Sequence, residues 1–366
     1  MPRRITRAVQ VGPHSIGGGS LITVQSMTTT DTRDTTATLA QITALAAAGA
    51  DIVRVAVPDA AAANALRELV AAAPVPLVAD IHFDHTLALA ALDAGVAKLR
   101  INPGNIGAAD KIRTVAAAAG ARHTPIRIGV NAGSLPRPLQ TRVARGELSL
   151  GAAMASAALD EARVLEDAGF YAIVLSVKAA QVPATLEAYH VLAAESSYPL
   201  HIGVTEAGTL RGGVIKSAIG LGALLAEGIG DTLRVSLTAD PVEEVRVGRR
   251  VLQALALRPY GPEIISCPTC GRTALDVIGL AEELERRIAD DATLRDVVCS
   301  VAVMGCVVNG PGEARAADIG YAGGRNEGVL FRHGKPIGTV PAAEAVERLL
   351  TELKRLRDER CAGDIS

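Results

Sequence analysis

The sequence predicts an α/β protein, an N-terminal (β/α)8 TIM-type barrel followed by a small α+β domain. Three observations predict it. From about residue 21 to 257, short β-branched runs alternate with longer Ala/Leu/Glu-rich stretches of helical character, eight units in all. Continuous apolar strands separated by helices indicate a parallel sheet covered on both faces. Most of these strands run into polar residues, as barrel strands do at the rim that carries an active site. The alternation then stops at Leu257-Arg258-Pro259-Tyr260-Gly261-Pro262, where two prolines and a glycine mark a domain boundary. A doubly wound open sheet is the alternative, but no G-x-G-x-x-G follows the first strand, which argues against a dinucleotide site.

In chain order the expected barrel strands are Leu21 to Met27, Ile52 to Val57, Leu77 to Ile81, Lys98 to Ile101, Ile126 to Val130, Tyr171 to Ser176, Leu200 to Val204 and Thr232 to Leu237. The barrel takes residues 1–258 and the second domain residues 259–366. Within the latter we expect a helix from Ala274 to Ala289, an apolar strand from Val297 to Val303 and a hairpin of Gly328 to Arg332 with Pro336 to Val340. That hairpin turns at His333-Gly334-Lys335, and a closing helix runs from Ala342 to about Arg360.

Composition narrows the functional classes. At 366 residues and 49% apolar content the chain can bury one large core and a smaller second one, built mostly from Ala, Val, Leu and Ile. Charges such as Arg54, Asp59, Asp80 and Lys98 interrupt every apolar run before it reaches the roughly 18 residues of a spanning helix. The basic N-terminus is not followed by an apolar segment and cleavage site, so a cytoplasmic location is expected. A net charge of −2 and an aromatic content of three Phe, five Tyr and no Trp argue against nucleic-acid binding. Five cysteines, two of them in one C-x-x-C, fit a reducing compartment with a metal or redox site rather than a disulfide scaffold.

Arg54, Arg100, Arg127 and Arg234 each lie inside an otherwise apolar strand, and Lys216 is read as opening the helix after strand seven. An unpaired buried guanidinium is strongly unfavourable, so each meets a carboxylate or faces an anion. Their recurrence on separate strands favours convergence on one polyanionic ligand, because the planar fork suits phosphate oxygens. Asp80 and His82, two residues apart at the end of strand three, share one side of an extended segment. They either orient substrate hydroxyls and move a proton, or satisfy one another and a nearby arginine. Of the turn asparagines Asn102, Asn105 and Asn131, only Asn131 is kept as a ligand contact, since turn chemistry explains such residues. Glu206, after strand seven, is a candidate acid or acceptor. His14, His85, His123, His190, His201 and His333 are read as structural or surface residues.

The second domain carries Ser266-Cys267-Pro268-Thr269-Cys270-Gly271-Arg272 and Met304-Gly305-Cys306-Val307-Val308-Asn309-Gly310-Pro311-Gly312-Glu313. A C-x-x-C loop points two thiolates at one centre, a distant third closes the pocket, and Glu313, seven residues past Cys306, is a candidate displaceable oxygen ligand. A zinc ribbon would want a second C-x-x-C or a His pair. Cys299 lies in an apolar run, where a buried structural thiol is expected, and Cys361 is read as incidental.

These words, with Val24-Gln25-Ser26-Met27-Thr28, Ala79-Asp80-Ile81-His82-Phe83-Asp84, Leu99-Arg100-Ile101-Asn102-Pro103-Gly104-Asn105, Arg127-Ile128-Gly129-Val130-Asn131 and Gly203-Val204-Thr205-Glu206-Ala207-Gly208, closely resemble the bacterial 4-hydroxy-3-methylbut-2-enyl diphosphate synthase family. The resemblance covers nearly the whole chain. It implies a [4Fe-4S] cluster on Cys267, Cys270, Cys306 and Glu313, with the carboxylate-bound iron the reactive one. It implies a cyclic diphosphate substrate, two-electron ring opening with loss of water in non-mevalonate isoprenoid synthesis, and electrons from ferredoxin or flavodoxin. It also implies a homodimer in which one subunit's cluster domain covers the other's barrel. One departure stands out: the family often carries an arginine where this chain has Tyr260, with Arg258 two residues earlier. The competing readings are a non-redox iron-sulfur hydro-lyase acting on a phosphorylated substrate, and a non-enzymatic iron-sulfur sensor.

Overall fold

A computed structural model describes residues 2–102, 106, 109–295, 297–306 and 308–363. Asn105 and the side chain of Cys361 lie outside this description. The chain divides into two compact units, one ending at Arg258 and one beginning at Pro259.

The first unit is built on eight parallel strands: β3 (Thr23–Met27), β4 (Ile52–Ala56), β5 (Leu77–Asp80), β6 (Lys98–Ile101), β7 (Ile126–Asn131), β8 (Ile173–Lys178), β9 (His201–Ile202) and β10 (Thr232–Leu233). Their order is β8-β7-β6-β5-β4-β3-β10-β9. A parallel bridge between Leu175 and Leu200 brings the last strand back to the first and closes the barrel. Helices return the chain between strands, and several start where the sequence offers a capping oxygen. Asp34, Asp59 and Asp240, for example, each accept a first-turn backbone N–H with the side chain. Alanine-rich helix faces bring Ala62, Ala91, Ala119, Ala158 and Ala188 into the buried layer around the sheet.

A short hairpin, β1 (Val9–Val11) with β2 (His14–Ile16), precedes the barrel and was not anticipated from sequence. Its Val9, Val11 and Ile16 pack against Ile52, Val78 and Val174, the lower inward positions of β4, β5 and β8. Because side chains alternate across a strand, the residues two further along, Arg54, Asp80 and Ser176, also point inward. The barrel is thus apolar at its hairpin end and polar toward the strand C-termini.

The second unit carries a five-stranded sheet of order β11-β12-β13-β14-β15: β11 (Pro262–Ser266), β12 (Cys299–Met304), β13 (Ile319–Gly323), β14 (Glu327–Arg332) and β15 (Lys335–Pro341). The first three strands run parallel and the last two antiparallel. Helices Val277–Asp290 and Ala345–Gly363 cover it, burying Leu284, Ile288, Leu349 and Leu353. The first helix begins later than expected, because the Asp276 carboxylate caps Gly279 N at 3.0 Å. No described helix is long and apolar enough to cross a membrane.

Candidate functional site

Toward the C-terminal ends of the barrel strands lies a cavity of about 170 Å³. Arg54 reaches it from β4, Asp80 from β5, Arg100 from β6, Arg127 and Asn131 from β7, and Ser176 and Lys178 from β8. Arg234 and Ser236 enter after β10, with Thr205 after β9 and His82 after β5. The side chains fall into two classes by what answers their charge.

Asp80 stands between Arg100, at 3.0 Å, and Arg54, at 3.6 Å. His82, about half exposed, lies 3.5 Å from Asp80 and 2.7 Å from Arg100 Nη1. Burial alone would raise the Asp80 carboxyl, but Arg54, His82 and Arg100 outweigh it and hold the group well below the usual carboxylate range. Arg54 is pulled down to about 10 by burial, with Asp80 partly restoring it. Arg234 meets Glu244 at 3.4 Å, and Glu244 also takes Ser26 Oγ and the Leu237 N–H.

Arg127 and Lys178 have no such answer. Both are buried, and neither forms an ion pair among the described residues. Nε and Nη1 of Arg127 have no hydrogen-bond partner there, while Lys178 Nζ touches only His201 Nε2, at 3.3 Å. Burial and the neighbouring cations lower both groups well below their ordinary values. Two glycines make room for the cations. A Cβ on Gly129 would stand 2.9 Å from Arg100 Nε and 3.4 Å from Arg127 Nη2, and one on Gly203 would stand 2.6 Å from Lys178 Nζ. Five cations therefore converge on a cavity lined by one carboxylate, a composition that suits a compact polyanion.

In the second unit the two cysteine loops meet. Gly305 N donates to Cys267 Sγ at 3.4 Å, and Ala274 N donates to Gly305 O at 3.0 Å. A Cβ on Gly305 would lie 2.4 Å from Val277 Cγ2 and 2.7 Å from Thr273 Cγ2, so this contact needs glycine. Thr269, inside the C-x-x-C, takes a left-handed φ of 54°. The N–H groups of Gly310, Asn309 and Val308 lower the Cys306 thiol, and the backbone and side chain of Arg272 lower Cys270. Cys299, by contrast, is buried in β12 and pushed up to about 12 by burial and then by Asp318. Glu313 is exposed in the first turn of the short helix Gly310–Ala316. Among the described residues no three His, Cys, Asp or Glu side chains crowd closely enough to hold a single ion.

Comparison with known families decides what this combination is. Residues 6–249 match the GcpE TIM-barrel domain, and residues 263–355 match the GcpE protein C-terminal domain. The chain belongs to the GcpE family. It is 55% identical over 356 residues to the 4-hydroxy-3-methylbut-2-en-1-yl diphosphate synthase (flavodoxin) of Geobacter sulfurreducens, covering 97% of this chain and 99% of the relative. The protein of the same name from Magnetococcus marinus is 54% identical, over 99% of this chain and 96% of the relative.

Against this GcpE frame the residues read from sequence fall into three groups. Arg54, Asp80, His82, Arg100, Arg127, Asn131 and Arg234 line one cavity. Lys216 does not. The helix after β9 begins at Leu210, so Lys216 is half-buried within it rather than at its opening, away from the cavity lining. Glu206 is exposed, with a left-handed φ of 52°, in the loop after β9, and it too lies outside the lining. Arg258, offered above near the missing linker arginine, is held inside the barrel unit by Asp51 at 2.8 Å and by Ile22 O.

Lys178 and Ser236, both in the lining, were missed, and His201 was read only as structural or surface. Lys178 was cut off because the strand was ended at Ser176, although Val177 continues the apolar run and period two places Lys178 inward with Ser176. His201, set aside as structural or surface, is fully buried inside the barrel beside Lys178. The usable signal was its place at the start of a strand whose next inward residue is glycine.

Proposed function

We infer that this protein is a 4-hydroxy-3-methylbut-2-en-1-yl diphosphate synthase, which opens 2-C-methyl-D-erythritol 2,4-cyclodiphosphate by two-electron reduction in the non-mevalonate isoprenoid pathway. The substrate takes up two electrons and two protons, the ring C2–O bond and the C3–O bond both break, a C2–C3 double bond forms, and the C3 oxygen leaves as water to give the linear allylic diphosphate. The observation that carries the site assignment is the acid-poor set of buried cations at the barrel mouth. Arg127 and Lys178, which lack an internal counter-ion, take the diphosphate oxygens together with Arg234 and Ser236. Asp80 holds Arg54 and Arg100 side by side, so these guanidiniums reach the ligand already oriented. His82, exposed at the rim and in contact with Arg100, is placed to hold a proton at Nδ1 or Nε2 near the carbon end of the substrate.

Cys267, Cys270, Cys306 and Glu313 would hold the cofactor, a [4Fe-4S] cluster. Such a cluster spreads its ligands over separate irons, so the donors need not converge as they would on one ion. The lowered Cys270 and Cys306 thiols and the N–H groups aimed at sulfur fit a bound cluster. When bound, that group passes electrons singly and offers an iron as a Lewis acid. The name of the relatives supports flavodoxin as the donor, with ferredoxin the alternative. The working form we propose is a homodimer whose active site is shared between subunits, and free Cys267, Cys270 and Cys306 fit the reducing cytoplasm.

The test is anaerobic turnover of the cyclic diphosphate by protein reconstituted with iron and sulfide and reduced by flavodoxin. Linear diphosphate as product confirms the reading. Conversion at an equal rate without any reductant would instead favour the hydro-lyase.

A further inference from the structure

Deeper than the diphosphate contacts, the barrel holds a polar layer to which the reaction above gives no part. Lys98 is fully buried at the start of β6, and its Nζ has no hydrogen-bond partner among the described residues. His201 is fully buried across the barrel, its Nδ1 likewise without a partner and its Nε2 on Lys178. No carboxylate pairs with Lys98, Arg127 or Lys178 among the described residues.

The charged groups that face this layer come from every side of the barrel. Lys98 feels the positive charge of Arg127 on β7 and of Arg54 on β4. Lys178 also feels Arg234 and, from the helix Pro241–Ala254, Glu244. Asp80, already held by Arg54 and Arg100, reaches Arg127 only at a distance. Tyr189 is a neutral neighbour whose hydroxyl donates to His201 O at 2.6 Å. Burial and like charge thus act together on Lys98, Lys178 and His201, lowering each well below its ordinary value. Guanidinium keeps its proton under such stress; Lys178 opens onto the cavity, whereas Lys98 lies outside its lining, and it is there that an amine sheds its own.

We propose that Lys98 is a buried proton acceptor coupled to the diphosphate cavity, so that entry of a dianionic diphosphate against Arg127 and Lys178 draws one proton from solvent onto the Lys98 amine. The inference rests on the diphosphate reading of that cavity. The balance is simple: one N–H bond forms, and no other bond changes. Before binding, burial together with the repulsion of Arg127 and Arg54 disfavours the charged form of Lys98. The ligand's negative charge cancels that repulsion, and the ammonium becomes the stable form. Linkage gives the sign: binding that takes up a proton weakens as pH rises through the window between the free and the bound values of the amine. Lys98 is therefore a residue that tunes affinity with pH from beneath the site, without touching the ligand.

The experiment is anaerobic calorimetric titration of the full chain with 2-C-methyl-D-erythritol 2,4-cyclodiphosphate, without reductant, in two buffers of different ionisation enthalpy. Both acidic groups of this ligand are strong, so it contributes no proton change of its own near neutral pH. The expected result is an uptake of roughly half to one proton per ligand in the wild type near pH 7.5, with affinity falling by up to about tenfold per pH unit above that. In Lys98→Met and Lys98→Gln the uptake should vanish and the pH profile flatten, whereas a purely structural role would move affinity without changing the proton count. Proton release or no exchange in the wild type overturns the proposal, and that arm needs no variant to fold. Undiminished uptake in both folded variants overturns the assignment to Lys98. Absence of any binding heat overturns the diphosphate reading itself, and this inference with it.

Discussion

In the barrel the charged groups sit on strands, and in the second unit the sulfur donors sit on loops. Arg54, Arg100, Arg127 and Lys178 belong to strands bonded on both sides, and their side chains are buried whether or not a ligand is present. Cys267, Cys270 and Cys306 lie beyond the ends of β11 and β12, with Cys270 and Glu313 exposed to solvent. The first arrangement is preorganised and carries its cost as like-charge repulsion in the ligand-free protein. The second sets its donors on loops, two of them open to solvent, where a cofactor would give them a common purpose. The contrast teaches that the two sites should fail differently when single residues are changed.

The largest effect is expected in the loops. Cys267→Ser, Cys270→Ser and Cys306→Ser should each lose cluster retention and drop turnover below detection, while Cys299→Ser keeps both, because its thiol is packed in β12. Iron and sulfide counts with anaerobic absorption spectra check this, and loss of iron from the Cys299 variant would redraw the ligand set. In the barrel, Asp80→Asn should destabilise the ligand-free protein by about 3–5 kcal/mol, since it leaves Arg54 and Arg100 without their buried counter-ion. Denaturant unfolding measures it. The carboxyl is held below its unfolded value of about 3.9, so its contribution is complete above that pH and is lost as pH falls through the depressed folded value. Stability curves of wild type and variant should therefore converge at strongly acidic pH.

Smaller effects sharpen the same contrast. Glu313→Gln should keep iron content but lower turnover by roughly 10–100-fold, because the amide preserves shape and loses the anionic oxygen. Full turnover at full iron content would remove Glu313 from the mechanism. Lys216→Ala should leave substrate affinity within about twofold, as expected of a side chain outside the cavity. A larger loss would mean that the helix Leu210–Ala226 delivers its lysine to the ligand after all.

The barrel was legible because its strands are apolar runs bounded by helical segments, and its arginines stood out by interrupting those runs. What sequence left open was the partner of each arginine. Asp80 precedes Arg100 by one strand, and only the register of β5 on β6 puts the two side by side. Lys178 was lost to a strand ended two residues early, and Lys216 was gained by starting a helix too late. In the second unit β11 and β13 escaped notice. Pro262-Glu263-Ile264-Ile265-Ser266 is short and half exposed, and Ile319-Gly320-Tyr321-Ala322-Gly323 carries two glycines, so neither shows a strand period. Gly320 is needed there because a Cβ would lie 2.3 Å from Ala314 O, a constraint set by the fold and silent in sequence. The β1–β2 hairpin was similarly hidden, its three-residue strands being too short for any pattern.

We propose that buried cations without an internal counter-ion bind the diphosphate, and Arg127→Met is the variant that decides it. Calorimetry with the cyclic diphosphate, paired with thermal unfolding of the ligand-free protein, reads both sides of the claim. The expected result is a dissociation constant raised by roughly two orders of magnitude, as for loss of charge-assisted contacts, with an unchanged cluster spectrum and a ligand-free melting temperature that rises because an unpaired buried charge is gone. Unaltered affinity together with a lower melting temperature would show that Arg127 serves the packing of the barrel and not the ligand.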